Sequence, residues 1–247
     1  MKRLLATAAL IGLTSPAFAF DLKEMSDSER AAFRAEVRAY LMDNPEVILE
    51  AVDMLESRKA AQQAAHDDAL VKKYADELFN DGVSWVGGNP EGDITLVEFM
   101  DYRCGYCRRA YEEVEQLIAF DGNIRFIVKE FPILGDASVS SARFAIAAKL
   151  IGGDESYKAA HDAMIAYGGD MNPSILKRLA ETLNLDGDAI LEKMDSQEVT
   201  DEIQANRELA QKMQISGTPT FVMQDQMLRG YLPLENMMAL LQEKRAN

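Results

Sequence analysis

The stretch from residue 94 to residue 107 reads ITLVEFMDYRCGYC, and it decides both the fold and the chemistry of this chain. Its first half is an apolar run that predicts a buried strand over Thr95 to Met100. A helical pattern follows from Cys104 to Ala119, so Cys104 and Cys107 lie at the start of a helix. They are the only cysteines of the chain. Because a helix N-terminus favours a thiolate, the pattern indicates thiol redox chemistry.

A single Cys-x-x-Cys pair is also half of a structural zinc site. The chain has two histidines, His66 and His161, both in predicted helices and with no clustered partner to complete a tetrahedral site. Zinc is therefore the minor interpretation. We expect no bound metal or organic cofactor beyond a redox-active disulfide between Cys104 and Cys107. Two thiolates can hold Cu(I), so a copper-binding protein remains an alternative.

The first 19 residues have the layout of a secretory signal. Lys2 and Arg3 precede the apolar stretch 4–13, and Ala17-Phe18-Ala19 has the small-x-small shape of a cleavage site. We expect export to the periplasm. No membrane insertion is expected after cleavage, since no later segment reaches the roughly 20 apolar residues of a membrane span. The net charge of −15 argues against nucleic acid and anionic membranes as partners.

Residues 20–81 are predicted to form an N-terminal helical region and a linker. Ser26-x-x-Glu29 predicts a capping box for the first helix, and Asn44-Pro45 predicts the N-cap and first position of the second. Both helices carry an apolar stripe, and the polar segment 57–68 that follows predicts an exposed helix or linker. A stripe detached from the rest of the chain is expected to join copies of it, giving a homo-oligomer through residues 26–56. The stripe comprises Phe33, Val37, Tyr40, Leu41, Ile48, Val52 and Leu55.

Residues 82–247 are predicted to form an α/β domain with a helical insertion at about 137–213. The order is strand, helix, strand, then the inserted helices, then strand, strand and helix, which suits a thioredoxin-type sheet. Gly87-Gly88-Asn89-Pro90 indicates a loop before the first clear strand. The predicted elements are Thr95–Met100, Cys104–Ala119, Asn123–Glu130, Ala137–Ile165, helices from Pro173 and from about Gln197, Thr220–Gln224, Met227–Gly230 and Leu234–Lys244.

Three motifs carry a resemblance to a known family. They are Glu98-Phe99-Met100-Asp101-Tyr102-Arg103-Cys104-Gly105-Tyr106-Cys107, Lys129-Glu130-Phe131-Pro132-Ile133-Leu134 and Gly217-Thr218-Pro219-Thr220-Phe221. From about residue 93 onward the chain resembles the DsbA-like family of exported thiol-disulfide oxidoreductases. The N-terminal helices and the Cys-Gly-Tyr-Cys motif are similar to the ScsC-type (suppressor of copper sensitivity) subgroup. Its members oligomerise through an N-terminal region and act as disulfide isomerases. The resemblance implies a thioredoxin fold with an inserted helical domain, preceded by a helical oligomerisation region.

The resemblance also implies roles for individual residues. Cys104 would attack, and Cys107 would resolve the mixed disulfide. Pro219 would be a cis-proline that faces the dithiol, and Thr218 would present the flanking backbone to an extended substrate. Glu98 would be a buried acid below the dithiol, with a pKa raised by desolvation, that relays a proton to or from Cys107.

The charges around the motif give a further expectation. Arg103, Arg108 and Arg109 surround the cysteines in an acidic chain, and their positive field is expected to stabilise the Cys104 thiolate. A solvated helix face is the alternative for these arginines. Many family members carry Pro-His where this chain has Gly105-Tyr106, so one source of thiolate stabilisation is absent.

Three functions follow from these observations. The leading hypothesis is an exported disulfide isomerase whose Cys104 thiolate attacks incorrect disulfides in exported proteins. The second is a dithiol oxidase that donates its disulfide and is reoxidised by a partner in the inner membrane. The third is a copper-binding thiol protein. In the first two cases a membrane redox partner must reset the dithiol, and the redox state of the pair in the cell distinguishes them.

Overall fold

The computed structural model describes residues 25–169 and 171–246. The signal predicted over residues 1–19 lies outside them. The chain divides into two compact units, one ending at Arg58 and one beginning at Lys59. The second unit begins upstream of residue 82 because Val71 and Leu78 are buried in its core. Across the described ranges, no helix is both long and apolar enough to cross a membrane.

The first unit consists of α1 (Asp27–Asp43) and the part of α2 (Glu46–Lys73) up to residue 58. The predicted capping box is present: the Glu29 amide donates to Ser26 Oγ at 3.4 Å and the Ser26 amide donates to Glu29 Oε2 at 2.9 Å. Asn44 is the C-cap of α1, and its side-chain amide nitrogen donates to the Tyr40 carbonyl at 2.9 Å. Its own carbonyl accepts from the Val47 amide at 3.3 Å, and α2 begins at Glu46.

The second unit is built on a five-stranded sheet with the order β1-β3-β2-β4-β5. Strands β2 and β3 are parallel, and the other neighbouring pairs are antiparallel. Strand β1 differs from the prediction, because its two glycines indicated a loop. It lies at the edge of the sheet, where it pairs with β3 and Trp85 is opposite Val128. The strands are β1 (Trp85–Gly88), β2 (Ile94–Met100), β3 (Ile124–Glu130), β4 (Thr220–Met223) and β5 (Gln226–Arg229).

Helices surround this sheet in the predicted order, with one addition. Helix α7 was not predicted; it has seven residues, begins with Asp186 accepting from the Ala189 amide at 3.1 Å, and buries Ile190. Helix α5 contains a bend at Gly153, whose φ of 79° lies in the region that favours glycine. The helices are α3 (Ala75–Phe79), α4 (Gly105–Asp121), α5 (Asp136–Tyr167), α6 (Pro173–Thr182), α7 (Gly187–Lys193), α8 (Gln197–Lys212) and α9 (Leu234–Ala246).

Strand β2 is buried on both faces, and the alternation of its side chains determines which of them face the helix that carries the cysteines. Leu96 and Met100 pack in the core cluster that includes residues of α4, α5 and α9, whereas Val97 and Phe99 pack in the cluster on the other face with residues of α8. Alternate residues of a strand share a face. Glu98 therefore points to the same side as α4, the helix that carries the cysteines.

Candidate active site

Cys104 is the N-cap of α4 and lies between two backbone segments. Its Sγ accepts from the Cys107 amide at 3.4 Å, so the sulfur takes the place of the usual capping oxygen. The Thr218 carbonyl lies 3.1 Å from the same sulfur, although Thr218 is 114 residues away in the sequence. The fold thus brings together the predicted nucleophile and the predicted substrate-binding loop.

The pKa of Cys104 is lowered to about 5, chiefly by a hydrogen bond from the Cys107 thiol. Burial opposes this shift, and further hydrogen bonds from the Thr218 side chain and from the amides of Cys107 and Tyr106 support it. The Thr218 carbonyl acts in the other direction, because it accepts from the thiol and offers no donor to the thiolate. The donors prevail over this acceptor, and with a pKa of about 5 Cys104 is ionised at neutral pH.

Cys107 differs sharply from Cys104 although it lies one helical turn away. Its side chain is 1% exposed, against 8% for Cys104. Burial raises the pKa of Cys107 far above the ordinary value, and its hydrogen bond to Cys104 and the charge of Glu98, once that residue is ionised, raise it further. The pair therefore holds one thiolate and one thiol. The Cys107 thiol can donate a hydrogen bond to the neighbouring anion.

Glu98 is buried, so it does not reach solvent at an edge of the sheet. Desolvation raises the pKa of Glu98 to about 8, and the negative charge on Cys104 contributes to that shift. At neutral pH Glu98 is thus a neutral acid on the sheet face below α4. It can accept or release a proton close to Cys107.

The Thr218–Pro219 peptide bond is cis, as the resemblance implied. The Pro219 carbonyl accepts from the Gly230 amide at 3.0 Å, which ties this loop to the end of β5. The Thr220 hydroxyl donates to the Gly217 carbonyl at 2.8 Å. A cavity of about 170 Å³ adjoins the cis bond and is lined by Ser216, Gly217, Thr218, Pro219, Thr220, Arg229 and Gly230.

Arg108 and Arg109 are engaged elsewhere, and the expected positive field is not among the main causes of the Cys104 shift. Arg108 Nη1 donates to the Gly168 carbonyl at 2.8 Å, which joins α4 to the end of α5. The Arg109 guanidinium lies 4.5 Å from the centre of the Tyr231 ring. The thiolate is stabilised by short-range donors rather than by surface charge.

Sequence reasoning missed a buried polar network beside the motif. Glu130 Oε1 accepts from the Tyr102 hydroxyl at 2.8 Å and from the Tyr157 hydroxyl at 2.7 Å. Tyr102 also lies 3.0 Å from His161 Nδ1, so His161 is a packed, buried residue outside the dithiol site. Glu130 belongs to one of the three motifs that carry the family resemblance. The signal in the sequence was an acidic residue at the end of the apolar run of β3.

No group of three or more histidine, cysteine, aspartate or glutamate side chains in the described part of the chain is arranged to hold a metal ion. His66 and His161 belong to different helices, α2 and α5.

Comparisons with known proteins agree with this geometry. Residues 95–242 match the DsbA-like thioredoxin domain, and residues 29–62 match the copper resistance protein ScsC N-terminal domain. A thioredoxin-like oxidoreductase from Silicibacter pomeroyi is 40% identical, with a TM-score of 0.65, over 70% of this chain and 98% of that one. BcfH from Salmonella enterica Typhimurium is 27% identical, with a TM-score of 0.72, over 87% and 95% of the two chains.

ScsC from Proteus mirabilis in a transitional conformation is 25% identical, with a TM-score of 0.66, over 90% of this chain and 99% of that one. Among curated relatives, a Na⁺/H⁺ antiporter from Salinispora arenicola is 30% identical over 62% of this chain, but the match spans only 24% of the antiporter's own length. The shared part is therefore a domain that also occurs within longer proteins. With its cis-proline facing an N-capping cysteine and a matching stretch that covers more than half of its length, the chain belongs to the DsbA-like thioredoxin domain family.

Proposed function

We propose that this protein is a periplasmic thiol-disulfide oxidoreductase that acts as a disulfide isomerase on exported proteins. The observation that carries the proposal is the pairing of an ionised Cys104 with a neutral, buried Cys107 opposite the cis-Pro219 loop. A thiolate is the species that attacks disulfides, and a thiol held in reserve next to it completes the exchange.

Isomerisation begins when the Cys104 thiolate attacks one sulfur of an incorrect substrate disulfide. A bond forms between Cys104 Sγ and that sulfur, the substrate S–S bond breaks, and the second substrate sulfur leaves as a thiolate. A thiolate elsewhere in the substrate then attacks the sulfur bound to Cys104. Cys104 departs as a thiolate and a new substrate disulfide remains. No net oxidation or reduction has occurred.

Cys107 provides the release step when no substrate thiol completes the exchange. Its proton must leave before it can attack Cys104 Sγ, and Glu98, when ionised, is the nearby group suited to accept that proton. The attack frees the substrate as a reduced dithiol and leaves a Cys104–Cys107 disulfide. Two electrons have passed to the substrate, so a reductant delivered by a membrane partner must restore the dithiol.

The apolar residues of α1 and the first part of α2 support the oligomeric component of this proposal. They are solvent-exposed within the single chain, and the exposed set comprises Phe33, Val37, Tyr40, Met42, Ile48, Leu49, Val52, Met54 and Leu55. Exposed apolar groups of this extent are typical of an interface. We propose that copies of the chain associate through residues 26–56 and hold their dithiols around one substrate.

The test is recovery of activity by scrambled ribonuclease A in a glutathione buffer. The full-length protein is compared with a Val37→Glu, Val52→Glu variant, and with an Arg38→Glu control that changes charge on the same helix without removing an apolar group. Light scattering should show a smaller mass for the double variant only, together with at least a fivefold loss of isomerase rate and an unchanged rate of reducing a small disulfide. Equal masses at that of a single chain would refute the oligomer, and equal masses at a multiple of it would refute this interface. Equal isomerase rates would refute the role of the oligomer.

One observation favours a dithiol oxidase as the second candidate. The low pKa of Cys104 stabilises the reduced form, and each 1.4 kcal/mol of such stabilisation makes the disulfide about 30 mV more oxidising. Trapping the thiols in living cells with a gel-shift alkylating reagent decides between the two. A pair found mostly reduced supports the isomerase, and a pair found mostly oxidised supports the oxidase.

A further inference from the structure

The polar network at the end of β3 connects the segment before the nucleophile to the inserted helices. We define the redox loop as residues 101–104. Tyr102 of this loop and Tyr157 of α5 both donate to the same oxygen, Glu130 Oε1, at 2.8 and 2.7 Å. His161 Nδ1 lies 3.0 Å from the Tyr102 oxygen. Because the Tyr102 hydroxyl hydrogen points to Glu130, His161 must donate, and it is neutral since burial lowers the pKa of His161 to about 4.

The two oxygens of Glu130 have different surroundings. Oε1 receives two hydroxyl hydrogens, whereas Oε2 is buried and has no hydrogen-bond partner in the described structure. An ionised carboxylate would leave a charged oxygen without a donor in the protein interior, which costs far more than an unpaired neutral hydroxyl. This arrangement fits a carboxylic acid with the carbonyl at Oε1 and the proton on Oε2.

The charges around Glu130 act in the same direction. The pKa of Glu130 is raised to about 8, chiefly by desolvation; the two tyrosine hydroxyls oppose the shift, and the carboxylates of Glu202 on α8 and Asp101 in the redox loop add to it. Glu202 titrates at a lower pH than Glu130, since burial raises the pKa of Glu202 to about 7. The pKa values of Tyr102 and Tyr157 are raised well above the ordinary range, so both remain neutral. No cation is in direct contact with this carboxyl among the residues described.

The redox loop is also attached to the segment that follows β3. Asp101 Oδ2 accepts from the Ile133 and Leu134 amides at 2.8 and 3.1 Å, and its Oδ1 accepts from the Arg103 amide at 2.8 Å. The Cys104 amide in turn donates to the Asp101 carbonyl at 3.0 Å. Cys104 lies only two residues after Tyr102. A displacement of Tyr102 therefore also moves Cys104 Sγ relative to the Cys107 amide that donates to it.

We propose that Glu130 is a positioning residue, held as a neutral acid, that fastens Tyr102 of the redox loop to Tyr157 of α5 and so fixes Cys104 at the start of α4. The consequence for reactivity rests on the proposed function, because it treats Cys104 as the nucleophile. Ionisation of Glu130 would place a negative charge on the buried carboxyl and disturb the network. The hydroxyl bonds to Oε1 would strengthen while Oε2 would carry charge without a donor, so the packing around Tyr157 would change at alkaline pH.

Trp85 supplies a readout that is independent of thiol chemistry. It is the only tryptophan of the chain, and its ring stacks on that of Tyr157 with centroids 5.2 Å apart. Tryptophan fluorescence of the full-length protein is titrated from about pH 6 to pH 9.5 in the wild type, Glu130→Gln and Glu98→Gln. The expected result is one transition near pH 8 that persists in Glu98→Gln and disappears in Glu130→Gln. A transition near pH 8 that survives in Glu130→Gln would show that Glu130 is not held as a neutral acid. The absence of any such transition in the wild type would show the same.

Two tyrosine variants separate positioning from general stability. Tyr102→Phe and Tyr157→Phe each remove one hydroxyl from Glu130 Oε1, but only the first acts on the redox loop. The pH at which iodoacetamide reacts with Cys104 at half its maximal rate is measured for both, for Glu130→Gln and for Glu130→Ala. Tyr102→Phe and Glu130→Ala should raise this midpoint by about half a pH unit or more, which is about a threefold change in the ionisation constant. Tyr157→Phe and Glu130→Gln should leave it unchanged.

Equal midpoints for Tyr102→Phe and Tyr157→Phe overturn the positioning role, whether both are shifted or neither is. Circular dichroism confirms that each variant is folded, and if Glu130→Ala does not fold, the two tyrosine variants decide alone. If the wild-type Cys104 itself reacts like an ordinary thiol, the proposed function fails. The fluorescence titration still tests the neutral acid in that case.

Discussion

Replacing Glu98 by glutamine should make the reduced protein more stable, by an amount that depends on pH. Burial raises the pKa of Glu98 from 4.5 to about 8. In the unfolded chain this carboxyl loses its proton above about pH 4.5, whereas the folded chain keeps it up to about pH 8. Keeping that proton costs the folded state free energy throughout this window. Glutamine has nearly the same shape, carries no titrating proton and removes the cost.

The size of the effect follows from the width of the window. Each pH unit between the unfolded and folded pKa values costs the folded state about 1.4 kcal/mol. The free energy of unfolding of Glu98→Gln should therefore exceed that of the wild type by about 3 kcal/mol at pH 7 and by less than about 1 kcal/mol at pH 5. The gain should be smaller for the oxidised protein, because the charge on Cys104 contributes to the raised pKa only in the dithiol form.

Urea unfolding under reducing conditions at pH 5, 6 and 7 measures this difference. The matched control is Glu192→Gln on the exposed face of α7, which should change the free energy of unfolding by no more than about 0.5 kcal/mol at each pH. A gain for Glu98→Gln that is the same at pH 5 and pH 7 would show that no proton is held at this position. A loss of stability at pH 7 would show that burial of the carboxyl carries no such cost.

Three further substitutions test the surroundings of the dithiol. Thr218→Val removes a side-chain hydrogen bond that lowers the pKa of Cys104, so alkylation of Cys104 at pH 5 should be slower, as measured by mass spectrometry. Cys107→Ser removes the resolving sulfur, so mixed disulfides between Cys104 and substrate should accumulate and be visible on non-reducing gels. Arg108→Gln should leave the alkylation midpoint of Cys104 unchanged, because Arg108 is bonded to the Gly168 carbonyl; a clear rise in that midpoint would restore the predicted positive field.

Local sequence patterns were sufficient for much of the architecture. The apolar run of β2 and the helical pattern after Cys104 are continuous segments whose periodicity is legible without knowledge of the fold, and the capping box at Ser26 is a contact between residues three positions apart. The cis bond before Pro219 followed from the family resemblance, because composition does not distinguish cis from trans.

The features that were missed depend on distant partners. Strand β1 is four residues long with two glycines, and its hydrogen bonds come from β3 some 40 residues later in the chain, as its register shows. Tyr102 and Tyr157 reach Glu130 across 28 and 27 residues, so no local pattern reports their contact. The sequence places arginines next to Cys104 and so predicts a positive field there. In the tertiary structure, however, Arg108 contacts Gly168 and Arg109 contacts Tyr231.

Cys104 is a thiolate at neutral pH because donors from α4 and Thr218 surround its sulfur. The most direct test of this ionisation is the rate of Cys104 alkylation by iodoacetamide in the reduced, full-length protein between about pH 4 and pH 9, followed by mass spectrometry. We expect a half-maximal rate near pH 5, the pKa of this thiol. A half-maximal rate near that of a free cysteine, about pH 8.5, would contradict it.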